Sequence, residues 1–83
     1  MTESMRLSAL PIGEGMRVTA IESEEYMRVR LLDLGFCSGT EVRCLYRAPM
    51  GDPTAYFVRG TVIALRQRDA DGVIGIGVGH GSE

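Results

Sequence analysis

The sequence has no lysine, one histidine and two cysteines among its 83 residues. No apolar run approaches the ~20 residues that cross a bilayer. Each shortage excludes chemistry. Without lysine there is no Schiff-base amine and no P-loop cation. The sole histidine, His80, stands in a glycine-rich tail three residues from the end, a place for a solvated side chain and a poor one for a general base. Cys37 and Cys44 fit neither a zinc-type spacing nor a disulfide framework, and they read as two thiols of a reducing compartment. Gly75-x-Gly77-x-Gly79 is not the dinucleotide fingerprint, and no helix follows it. Met1 to Arg6 is polar and lacks a secretory apolar core, so a cytoplasmic protein without membrane insertion is expected.

Nine arginines face eleven acids, for a net charge of -2. Nucleic-acid binders carry a clustered basic face, and this composition argues against that class. The length allows one domain, 1–83, with a core expected over about 7–78 and loose ends at 1–5 and 80–83.

What is present is a series of short strands and one helix. Leu7 and Leu10 pin a turn before Pro11. Met16 to Ile21 alternates, with Met16, Val18 and Ala20 on one face. Ser23 to Leu34 is the helix, with Ser23 as N-cap, Glu24 and Glu25 in the first turn, and Gly35 as its stop. Met27, Leu31 and Leu34 form one apolar stripe, and Val29 and Leu32 fall on the opposite side. Arg30 and Asp33 are spaced as a surface ion pair. Thr40 to Ala48 is a strand with Val42, Cys44 and Tyr46 on one face. Pro49 to Pro53 is a loop in which Asp52 caps nearby N–H groups. Thr54 to Arg59 returns as a hairpin, Gly60 turns the chain, and Thr61 to Arg68 is the next strand. Ile74, Ile76 and Val78 alternate with glycines that admit a close neighbour. The sum is a small, partly open β-barrel.

No base, nucleophile and orienting group come together, so the sequence reads as an interaction module and not an enzyme. Such a module needs exposed apolar side chains ringed by charge, with arginine favoured. Val29 and Leu32 beside Arg28 and Arg30 qualify, as does Met50 at its hairpin tip.

Arg28-Val29-Arg30-Leu31-Leu32-Asp33-Leu34-Gly35-Phe36, Gly39-Thr40-Glu41-Val42, Ala48-Pro49-Met50-Gly51-Asp52-Pro53, Val58-Arg59-Gly60 and Ala64-Leu65-Arg66 follow Leu7 and Leu10 in this order. Together they resemble the ferrous iron transport protein A (FeoA) family over roughly residues 7–78. The resemblance implies a mostly β, SH3-like barrel of about five strands with one inserted α-helix. It also implies a small cytoplasmic accessory protein of bacterial ferrous iron uptake. The implied partner is the membrane permease, ferrous iron transport protein B, which carries a GTP-hydrolysing domain. Carried across, Arg28, Arg30, Leu32, Met50, Asp52 and Pro53 are the expected contact residues, while Leu31, Leu34, Gly35 and Gly60 keep the fold. Val29 departs from a family form with three consecutive basic residues, which shifts the expected contact from charge toward apolar packing.

The resemblance brings no defined metal site and no cofactor. A ferrous iron or zinc carrier using Cys37, Cys44 and Asp52 is the competing reading. Monomer and homo-oligomer are both compatible with the sequence.

Overall fold

The computed structural model describes residues 3–78. The observed elements are β1 (Ser4–Arg6), a 3-10 turn (Leu7–Ala9), β2 (Gly15–Ile21), α1 (Glu25–Leu34), β3 (Glu41–Arg47), β4 (Thr54–Val58), β5 (Thr61–Leu65), α2 (Gln67–Ala70) and β6 (Val73–Val78). The strands make one antiparallel sheet in the order β1-β6-β2-β3-β4-β5. Six strands replace the expected five, and the sheet curls around a core without pairing its two edges, β1 and β5.

The core gathers Leu7, Leu10, Met16, Val18, Leu31, Phe36, Val42, Cys44, Tyr56 and Val58, all essentially without solvent access. Leu7 and Leu10 enter from one turn, closed by the Leu10 N–H on the Leu7 carbonyl at 3.0 Å. The helix stripe docks as expected: Leu31 is buried, and Met27 and Leu34 pack on the core. At the helix end the N–H groups of Gly35 and Phe36 donate to Leu32 O and Leu31 O, each at 3.0 Å, and Gly35 takes φ 112°. This is a Schellman motif, and its usual apolar contact is supplied by buried Phe36 and Leu31.

Several expectations need correction. Residues 4–6 are not a loose start: Met5 packs on the core and pairs with Gly75 of β6. Three residues are too few for a period to register. The first helical residue is Glu25, and its cap residue Glu24 makes no side-chain cap bond, so Ser23 is not the N-cap. Ala20 and Tyr46 are exposed, not inward. Bulges cause both misses. The β2–β6 register shifts at Thr19 and the β3–β4 register at Leu45, so each bulge reverses the alternation after it. Past Thr19 the inward position falls to Ile21. The strand expected to reach Arg68 ends at Leu65, and a one-turn helix follows. The tail 80–83, including His80, lies outside the described residues.

Gly75 does admit a close neighbour: a Cβ there would stand 2.4 Å from both Arg17 O and Met16 Cγ. That clearance lets β6 lie against β2 across its full length.

Candidate protein-docking site

Helix α1 is amphipathic in a particular way. At about 100° per residue, its side away from Leu31 is centred on Val29. Leu32 and Tyr26 flank Val29, and Arg28 and Arg30 bracket all three from opposite sides. Val29 is 49% exposed, Leu32 38% and Tyr26 74%. A shallow groove of about 420 Å³ runs along this helix, lined by Glu25, Tyr26, Val29, Arg30, Asp33 and Leu34. Arg28 and Arg30 are exposed and carry no ion pair among the described residues. The expected Arg30–Asp33 pair does not form; the sole ion pair among the described residues is Arg6–Glu22 at 3.4 Å.

The Pro49–Pro53 loop presents a second point. Met50 is 91% exposed at its tip. The loop is held by the Gly51 N–H on Ala48 O at 2.7 Å and the Ala48 N–H on Pro53 O at 2.9 Å, and the Asp52–Pro53 peptide bond is cis. Asp52 does cap a backbone N–H, but a distant one: its Oδ1 accepts from Gln67 N at 2.9 Å, at the start of α2. Pro53 is exposed beside it.

These residues form two points and not one patch. Helix α1 ends at Gly35, against the stem of Arg59. The loop enters β4 at its other end, so the five residues of β4, about 17 Å, separate the turn beside Leu32 from the loop that carries Met50.

Cys44 makes a poor ligand. Cys44 is buried, and burial pushes its thiol up, with the charge of Arg47 only partly opposing this. Cys37 is half-buried with its sulfur 3.7 Å from Leu32 O. Both are free thiols, and among the described residues no three His, Cys, Asp or Glu side chains converge as metal ligands. No described helix is long and apolar enough to cross a membrane.

One surface escaped the sequence reading. Phe57 (44% exposed), Val62 (53%) and Tyr46 (59%) lie on the outer face of β3–β5, with Phe57 directly opposite Val62. The inward set Thr54, Tyr56 and Val58 was the available signal, because it forces Phe57 outward.

Residues 5–75 match the FeoA domain family. The chain is 33% identical over 66 residues to the Fe(2+) transport protein A/Fe(2+) transporter FeoB fusion protein of Porphyromonas gingivalis, a match over 80% of this chain and 8% of that protein. It is similar to the solution structure of a FeoA-like protein from Clostridium acetobutylicum, with TM-score 0.82, 33% identity, and coverage of 90% of this chain and 87% of that one. Similarity extends to Stenotrophomonas maltophilia FeoA, described as a procaryotic SH3 domain protein and solved in complex with zinc, with TM-score 0.77, 33% identity, and coverage of 86% and 88%. The six-stranded sheet with its one long helix is therefore the SH3-like fold of these relatives, and the chain belongs to the FeoA domain family.

Proposed function

We propose that this chain is an accessory protein of ferrous iron uptake that binds the cytoplasmic side of an iron permease and acts by contact, without catalysis. The observation that carries the reading is the α1 strip, in which Val29, Leu32 and Tyr26 stand exposed between two arginines that have no ion pair among the described residues. Exposed apolar side chains beside arginine are the composition of a protein-binding hot spot, and the acids Glu25 and Asp33 line the same groove. Met50 adds an anchor at the loop tip, with Pro53 beside it and Asp52 holding the loop in place.

The Porphyromonas gingivalis relative joins Fe(2+) transport protein A to the FeoB transporter in one polypeptide. A covalent tether raises effective concentration, which is useful to two parts that must meet. The proposed meeting of this chain with its permease depends on the α1 strip. The test is ferrous iron uptake in cells that lack the chain's own gene and carry the variants Leu32→Arg or Met50→Asp. Both fold normally, and uptake falls to the level of the deletion. Uptake at the wild-type level with both variants contradicts the reading.

A metal-binding role is the second reading, favoured by the zinc complex of the Stenotrophomonas maltophilia relative. Anaerobic calorimetry with ferrous iron or zinc separates the two. Tight binding that is abolished by Cys37→Ser would favour a metal carrier.

A further inference from the structure

The sheet leaves two edges, and they differ in kind. β1 is three residues long and ends in charged Arg6. β5 is five residues long, uncharged and without proline, and it runs along β4 with no register shift. Natural sheets shorten, charge or bulge their edges, because a row of outward N–H and C=O groups is a template for another strand. β5 has none of these protections.

The Arg59–Gly60 turn decides which groups point outward. Both residues have positive φ, 52° and 80°, as a two-residue type I′ turn requires. Val58 and Thr61 are then the hydrogen-bonded pair that closes the turn, and the ladder's alternation aims the N–H and C=O of Val62 and Ala64 away from β4. Among the described residues, no backbone bond outside the ladder reaches either one. The apolar Phe57–Val62 face adjoins this edge.

Charge flanks the edge on both sides. Arg59 precedes β5, and Arg66 and Arg68 follow it, all exposed and none ion-paired among the described residues. No acid occurs from 59 to 68, in a chain whose net charge is -2, although the fold sets Asp52 and Asp71 beside Arg66 and Arg68. We propose that β5 is a strand-addition site for an extended segment of a partner protein, with alternate apolar residues in its middle and carboxylates at both ends. The backbone of the segment satisfies Val62 and Ala64, its apolar residues extend the Phe57–Val62 face, and its acids meet Arg59 at one end and Arg66 and Arg68 at the other. A second copy of this chain fits worse. Antiparallel pairing of β5 with itself about Ile63 sets Val62 opposite Ala64 but brings Arg59 of one copy toward Arg66 and Arg68 of the other. The site uses none of the α1 or loop residues, so it stands or falls independently of them.

The test titrates a synthetic peptide, a Thr-Val-Thr-Val-Thr core with an Asp-Glu pair at each end, into the nitrogen-15-labelled full chain. Amide shifts concentrate on Val62 and Ala64. Ala64→Pro removes one outward N–H and none of the β4 ladder's bonds, and it abolishes the shifts. Val62→Asp keeps the backbone intact and weakens the acidic peptide by at least about tenfold. A peptide with the same core and lysine ends also binds at least about tenfold more weakly. Absence of shifts at Val62 and Ala64 at millimolar peptide overturns the proposal, as does equal binding of acidic and basic peptides. A dimer in sedimentation that Ala64→Pro dissociates overturns it in favour of a second copy.

Discussion

Asp52, at the tip of the β3–β4 hairpin, accepts the backbone N–H of Gln67 through Oδ1 at 2.9 Å and so ties the loop to the first residue of α2. Helix α2 has no side-chain cap of its own; a residue fifteen positions earlier in the chain supplies the acceptor. Asp52→Ala therefore lowers stability by about 1 kcal/mol, the usual worth of a capping bond. Asp52→Asn keeps an acceptor oxygen and loses less. Urea denaturation of the two variants checks the order.

Gly75 and Gly77 sit two residues apart on β6 and differ in their neighbours. A Cβ on Gly75 meets Arg17 O and Met16 Cγ at 2.4 Å, one of them backbone, whereas a Cβ on Gly77 meets only Cε, the far end of the Met5 side chain, at 3.3 Å. Gly75→Ala forces β6 off β2 and costs more than about 2 kcal/mol. Gly77→Ala changes stability by less than about 1 kcal/mol. Thermal unfolding of the pair reads the difference directly.

Alkali destabilises the chain through Tyr56. Burial pushes its hydroxyl up to about 12, the nearby Cys44 thiol adds to the rise, and Thr54 partly offsets it. The unfolded phenol ionises near its ordinary value of about 10. The neutral folded state is thus fully stabilised below pH about 10, and that contribution is lost as pH rises toward 12. Stability falls by on the order of 2 kcal/mol across this window. In Tyr56→Phe the alkaline slope flattens. A slope unchanged from the parent contradicts this origin.

Leu32→Arg and Met50→Asp leave the fold intact, because both side chains face solvent. Each shifts stability by no more than about 0.5 kcal/mol. Leu31→Arg, one position away and fully buried, prevents folding. Circular dichroism melts of the three variants separate core from exposed surface.

Much of this architecture is legible in the sequence where local signals agree. Gly35 after an amphipathic stretch announces the end of α1, and Arg59-Gly60 between apolar runs announces a hairpin. The outward Val29 and Leu32 follow from helical period alone. Period fails where the backbone adds a residue. Bulges at Thr19 and Leu45 invert the expected facing of Ala20 and Tyr46, and neither residue type signals a bulge. β1 exists because β6 offers Gly75 as a partner, a long-range fact that Ser4–Arg6 does not contain. The tie between Asp52 and Gln67 is legible as a carboxylate seeking an N–H, but not as to which N–H, since α2 is brought there by the tertiary fold.

Docking on a ferrous iron permease through the α1 strip is tested most directly by co-purification of the tagged chain with the full-length permease in mild detergent. The wild-type chain is retained, Leu32→Arg is lost at unchanged stability, and the Leu32 side chain is thereby placed in the contact. Equal retention of both chains, or retention of neither, contradicts the role assigned to this face.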